Sequence, residues 1–170
     1  VKYDPKKVNL PYFLPDAAET RKDWAEYLHS ISRMDRGVGL IIEELRAAGV
    51  LDDTLILFIS DNGPPFPGAK TTLYASGIHL PLIMAGAGVP TGRTTGALAS
   101  YIDLAPTILD VAGAKTPSYK QTKLFGKSLL PIARGDDTKG RDAVFASHQF
   151  HEITMYYPMR MVRTKSHKLI

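Results

Sequence analysis

Three side chains in the stretch ISDNGPPFPGAK, Ile59 to Lys70, could do chemistry together: Asp61, Asn62 and Lys70. An acid beside an amide offers hard oxygen ligands that carry one negative charge between them. That donor set suits Ca²⁺ or Mg²⁺, and not a soft metal. Two ligands are too few, so a metal site begun here has to be completed from elsewhere. The same pair also reads as an Asx-type turn after a strand, the commoner role of a bare Asp-Asn-Gly. Lys70 by itself is an ordinary solvated loop lysine. Pro64, Pro65 and Pro67 restrain the loop that carries it, however, and a lysine held near a divalent cation makes sense if both face one anion.

A second group lies near the other end of the chain. His148, His151 and Glu152 follow the apolar run AVFAS, where they could bind sugar hydroxyls or protonate a departing amine. A polar surface turn is the competing reading. Arg160 could face the same pocket, although a strand arginine is more often solvated or paired. Tyr156 and Tyr157 offer a stacking surface for a sugar, with one of the two expected in the core because neighbouring strand residues point to opposite faces. Asp35 and Arg36 fall on the polar side of a helix and read as structural. His29 and His167 read as exposed, with no partner evident in sequence.

The elements that must position these groups follow from periodicity and punctuation. Val1 to Pro15 holds three prolines and no period, an extended lead-in. Trp24, Tyr27, Leu28, Ile31, Met34, Val38, Ile41, Ile42 and Leu45 recur every three or four residues, which predicts one long amphipathic helix with a buried face. Asp16 with Glu19 is its expected cap and Gly49 its stop. Gly37 and Gly39 suggest a bend or a close approach within it. The run TLILFIS, Thr54 to Ser60, is too continuously apolar for a half-exposed strand and predicts a central parallel strand covered on both faces. A loop from Gly63 to about Gly77 leads to a second strand, LPLIMAG. Asp103 is the expected cap of a helix in ASYIDLAPTILDVAG that ends at Gly113. A loop over Lys115 to Lys123 precedes a short helix in LFGKSLLPIARG. AVFAS is then a strand, and MYYPMRMVRTKSHKLI a hairpin turning near Lys165 and Ser166. Strands alternating with helices make this an α/β chain, and strand carboxyl ends are where such sheets place working residues. Asp61 and Asn62 stand there.

Composition bounds the rest. The 170 residues suffice for one domain with a core. Lys and Arg number 21 against 17 for Asp and Glu, and this net +4 is spread along the chain. It suits an anionic substrate and argues against a nucleic-acid partner. Without cysteine there is neither a disulfide nor a thiolate metal site. No apolar run reaches membrane-spanning length. The opening VKYDPKK and the closing HKLI read as the middle of a protein and of a strand, so a fragment is expected.

The order MDRGVGLIIEELRAAGVLDDT, LILFIS, SDNG, a loop with a lysine, PLIMAG and SYIDLAPTILDVAG resembles the carboxyl-terminal half of the catalytic domain of type I sulfatases, of the alkaline-phosphatase-like fold. FPGAKTTLY and HEITMYYPMR bring it nearest to the sulfamidases, the N-sulfoglucosamine sulfohydrolases. The resemblance spans most of the chain, residues 1–170 being the carboxyl-terminal portion of such a domain. It implies a mixed sheet flanked by helices, Asp61 and Asn62 as ligands of an active-site Ca²⁺, and Lys70 against the sulfate group. It implies a substrate site for His148, His151, Glu152 and Arg160, with a sulfated saccharide of glucosamine type as substrate. The formylglycine nucleophile of sulfatases arises from a Cys-x-Pro-x-Arg or Ser-x-Pro-x-Arg motif, and this chain has neither. The paired aspartates that complete the metal site are also missing. Both belong to an amino-terminal half of the same polypeptide, so these 170 residues are expected to be inactive alone.

Two other readings remain open. One is an O-sulfatase or phosphoryl-transfer relative of the same fold, which would differ in its nucleophile. The other is a non-catalytic carbohydrate-binding or interaction domain. Sulfatases of this kind resemble exported or lysosomal enzymes. The lack of any Asn-x-Ser/Thr acceptor favours a bacterial, periplasmic or secreted parent over a lysosomal glycoprotein.

Overall fold

A computed structural model describes residues 2–114, 124–137, 139–152, 154 and 156–170. The loop expected over Lys115 to Lys123 lies outside the described residues. The chain forms two compact units: residues 1–51 with 62–79, and residues 52–61 with 80–170.

The first unit is organised by helix α1, Ala18–Ala47. It runs unbroken through Gly37 and Gly39, and a Cβ at either position would meet no other element within 4 Å among the described residues. Asp16 does not cap it. The N-cap is Ala17, with no side-chain cap, because the Asp16 carboxylate is taken by Arg21, whose Nε and Nη2 donate to it at 2.5 and 2.7 Å. The helix stops as expected at Gly49, whose φ of 71° allows its N–H to reach the Arg46 carbonyl while Val50 N–H reaches Leu45. These two bonds close the last turn in a left-handed glycine cap.

The lead-in lies along α1. Val8 and Leu14 are buried, Arg21 donates to the Val8 carbonyl, and the Tyr3 hydroxyl meets Ser32 at 2.9 Å. His29 therefore has a partner after all: its Nε2 accepts the Tyr3 backbone N–H at 2.8 Å. Phe66 packs against Trp24 and Tyr27, near the amino-terminal end of the apolar stripe of α1. Further along, Met34, Leu40 and Ile41 are exposed.

In the second unit, strand β1, Ile56–Ile59, pairs with β2, Leu82–Ala85, and the pair is antiparallel. The expectation of a central parallel strand covered on both faces does not hold among the described residues. Ile59 and Ile83 are exposed. A continuous apolar run reports a tendency to be buried, and it carries no information on the direction of the partner strand.

Helix α2, Ala75–Ile78, belongs to the first unit. The second continues with a 3₁₀ turn, Tyr101–Asp103, helix α3, Leu104–Val111, and helix α4, Leu130–Arg134. It ends with an antiparallel sheet ordered β3 (Ala143–Phe150), β4 (Tyr156–Thr164), β5 (Lys168–Leu169). The expected hairpin turn at Lys165 and Ser166 is present, with the Thr164 N–H donating to the His167 carbonyl at 2.8 Å. His167, expected without a partner, donates its N–H to Thr164 Oγ1, and its ring meets Ser166 Oγ. Met161, Leu129, Leu130 and Thr107 form the buried centre.

Candidate metal and anion site

Asp61 stands just past the carboxyl end of β1, exposed, as the apolar run predicted. The residue before it is held from across the unit. The Tyr101 hydroxyl donates to the Ser60 carbonyl. Partial burial pushes the Tyr101 phenol above its usual pKa, and the nearby negative charge of Asp61 adds to that rise.

Asn62 opens the second segment of the first unit. Its Nδ2 donates to the Gly63 carbonyl at 2.8 Å. That bond commits the amide nitrogen to the chain and makes Oδ1, an acceptor, the atom a hard cation would take. Asp61 and Asn62 thus fit Ca²⁺ in kind, as oxygen donors. They fall short of it in number, since such an ion takes about 6–8 oxygens. Among the described residues no three His, Cys, Asp or Glu side chains gather as a metal site.

Lys70 sits on a loop that is closed on itself. Gly63 N–H donates to the Gly77 carbonyl at 3.1 Å, joining the loop's ends. Both must be glycine, because a Cβ on Gly63 would strike the Ser76 carbonyl and one on Gly77 the carbonyls of Thr72 and Ala69. Inside, the Lys70 N–H reaches the Pro64 carbonyl at 3.1 Å, Thr72 Oγ1 donates to Ala69, and Ser76 Oγ to Gly68. Ala69 and Leu73 are buried, and Phe66 anchors the loop on α1. The prolines are therefore only part of the restraint. Thr71, next to Lys70, has φ 68°, a left-handed conformation that a β-branched residue rarely adopts. The loop is built to hold one shape at Lys70.

The second group is divided by the pleat. His148 pairs with Met159 and Ser147 with Arg160. Cross-strand partners share a face and neighbours alternate, so His148 and Arg160 lie on opposite faces of the β3–β4 pair. A register irregularity follows between His148 and Phe150. β3 runs past AVFAS, which places His148 within the strand and leaves His151 and Glu152 exposed just beyond its carboxyl end. Tyr156 and Tyr157 are both exposed, so neither is a core residue here.

Sequence reasoning understated Asp103. It is 1% exposed, and its carboxylate receives the Ser100 N–H at 2.9 Å, the Lys127 N–H at 2.8 Å, and both Nε and Nη2 of Arg141. Burial alone would raise its pKa. Arg141 and the two backbone donors outweigh that and hold the carboxyl below the ordinary value. Thr107 joins α3 to the α4 region beside it, donating to the Asp103 carbonyl and accepting the Leu129 N–H. The Ser-x-x-Asp spacing of Ser100 and Asp103 was the available signal; nothing in the sequence marks Arg141 as the partner.

The order of these parts has a family counterpart. Residues 4–114 match the sulfatase family and residues 69–170 match the carboxyl-terminal region described as N-sulphoglucosamine sulphohydrolase, C-terminal. The chain belongs to the sulfatase family. It is 43% identical over 175 residues to human N-sulphoglucosamine sulphohydrolase, an alignment that covers 99% of this chain and 34% of that protein. With human N-acetylglucosamine-6-sulfatase the identity is 38% over 120 residues, covering 68% of this chain and 20% of the relative. A crystal structure from Bacteroides thetaiotaomicron, assigned as a sulfatase, superposes with a TM-score of 0.74 at 23% identity, covering 88% of this chain and 34% of that one. The fold is thus the alkaline-phosphatase-like fold of sulfatases, and the chain spans about a third of the length of its first relative.

Proposed function

We propose that these residues are the carboxyl-terminal part of the catalytic domain of a Ca²⁺-dependent sulfohydrolase that removes N-linked sulfate from glucosamine-type saccharides. The observation that carries this reading is the closed, strained loop that fixes Lys70 after Asp61 and Asn62, in a chain 43% identical to an N-sulphoglucosamine sulphohydrolase. Asp61 and Asn62 Oδ1 would hold the ion, Ca²⁺ in preference to Mg²⁺ because Ca²⁺ accepts carboxylate and amide oxygens in variable geometry whereas Mg²⁺ demands a near-ideal octahedron. When bound, such an ion would neutralise negative charge on the sulfuryl oxygens. Lys70 supplies a fixed positive charge to the same group, and it stabilises the transition state in which charge builds on those oxygens. His151 and Glu152, beyond the end of β3, suit contacts to sugar hydroxyls; His148 and Arg160 lie on opposite faces of the sheet, so only one of them can share that pocket.

The nucleophile, a formylglycine, and the remaining metal ligands would come from an amino-terminal part of the same polypeptide. Such a part would also cover the exposed stripe Met34, Leu40 and Ile41 of α1. These 170 residues alone would then be inactive. No helix among the described residues is long and apolar enough to cross a membrane. We place the parent in the periplasm or outside the cell, or in the lysosome if the source is eukaryotic.

The test is sulfate release by the intact enzyme from N-sulfated and from 6-O-sulfated glucosamine saccharides, with and without Ca²⁺. Release from the N-sulfated substrate alone is expected. Release from the O-sulfated one alone would transfer the assignment to O-sulfatases, and release from neither would overturn it. In the same assay Lys70→Ala should lower kcat/KM about 10–10²-fold, the worth of one charge-assisted hydrogen bond. Circular dichroism should be unchanged, and wild-type kinetics would remove Lys70 from the site.

A further inference from the structure

The buried ion pair, the 3₁₀ turn and the end of β1 form one connected path within the second unit. Arg141 neutralises Asp103, which is pinned further by the N–H groups of Ser100 and Lys127. This fixes the turn Tyr101–Asp103 at both ends. Tyr101, its first residue, directs its hydroxyl to the carbonyl of Ser60. Ser60 is the last residue before Asp61, and it follows directly on Ile59, where strand pairing with β2 stops. The Tyr101 hydroxyl thus grips the backbone immediately beyond the last paired residue and immediately before Asp61, and groups behind a metal ligand set its orientation.

We infer that Tyr101 is a positioning residue for Asp61, clamping the Ser60 carbonyl so that the Asp61 carboxylate is presented to the cation in one orientation. The inference rests on the metal reading of Asp61 above. It assigns a role to a tyrosine that is not one of the proposed ligands and stands 40 positions from its target in sequence. Groups that orient metal ligands from behind contribute about 10–100-fold to metal affinity.

The experiment is calorimetric titration of Ca²⁺ into the intact, chelator-treated enzyme. Tyr101→Phe keeps the ring and deletes only the hydroxyl, and should weaken Ca²⁺ binding about 10-fold while kcat falls more than KM rises. A tyrosine of merely structural use would shift thermal unfolding and leave the Ca²⁺ Kd alone. Asp61→Ala is the control that separates the two readings. If it abolishes binding while Tyr101→Phe binds as the wild type does, the clamp is overturned and the metal assignment stands. If Asp61→Ala also binds normally, the metal assignment falls and the clamp with it. Should Tyr101→Phe fail to fold, Tyr101→Gln and Tyr101→Leu, similar in size, differ in having a donor. Tighter Ca²⁺ binding by the glutamine variant supports the clamp, and equal Kd values overturn it.

Discussion

Replacing Asp61 by alanine in the intact enzyme is expected to lower kcat/KM for an N-sulfated saccharide by at least about 10²–10³-fold, the scale seen when one group that stabilises transition-state charge is removed. Asp61 is the only charged member of the donor pair, so its loss removes the local negative charge that offsets the cation's desolvation, and Asn62 alone offers a single neutral oxygen. Asp61→Asn keeps an oxygen at the same place without the charge and should fall between the wild type and Asp61→Ala. The measurement is turnover against Ca²⁺ concentration. In the wild type activity should saturate with Ca²⁺; in Asp61→Asn the curve should move to higher concentration; in Asp61→Ala it should not recover. Wild-type kinetics in Asp61→Ala would leave the Asx turn as the whole meaning of Asp61-Asn62.

The second large effect concerns stability. Asp103→Ala leaves the Arg141 guanidinium in a site from which water is largely excluded, its side chain 18% exposed. Breaking a buried pair from one side costs about 3–5 kcal/mol, because the remaining charge loses its partner. The partial exposure of Arg141 puts the expected loss near the lower figure, about 3 kcal/mol, and the Ser100 and Lys127 N–H groups lose their acceptor as well. Urea unfolding of the intact enzyme should show it as a lower midpoint. Adding Arg141→Met to Asp103→Ala should recover part of the loss, since an apolar side chain needs no counter-charge; failure to recover any would mean that the backbone donors, and not Arg141, account for the cost.

The same pair sets a pH dependence. The Asp103 carboxyl is held below its ordinary value of 3.8 in the folded chain, so its contribution is present in full above the unfolded value. It is lost as pH falls through the lower folded one. The stability gap between wild type and Asp103→Ala should accordingly be constant near neutrality and close progressively below about pH 3.8. A gap that stays open in that acid range would show that the ionised carboxylate is not its source.

Some of this was legible before any coordinates. The three-and-four spacing from Trp24 to Leu45 requires a helix because only that geometry collects those side chains on one side, and Gly49 had to end it because a left-handed residue closes its last turn. The apolar run ending in Ser-Asp-Asn placed Asp61 at a strand's carboxyl end. What a local pattern cannot hold is the identity of a distant partner. The stripe on α1 did not say that Phe66 would pack on Trp24 and Tyr27 while Met34 and Ile41 stay exposed. TLILFIS did not encode an antiparallel neighbour that lies from 23 positions on, Ile59 against Leu82, to 29 positions on, Ile56 against Ala85. His148 and Arg160 were grouped by chemistry, and one residue of register separated them to opposite faces.

Asp103 shows the division most clearly. Its place before LAPTILDV marked a helix start, a local matter that the amino-acid sequence determined by itself, although its side chain does not cap α3 and instead closes the capping box that Ser100 opens. That the same carboxylate would be buried against Arg141, 38 positions away, and would steady the turn from which Tyr101 reaches Ser60, was decided only by tertiary structure. Short-range hydrogen bonding is written in neighbouring residues, whereas the pairing of two buried charges depends on which surfaces the folded chain brings together.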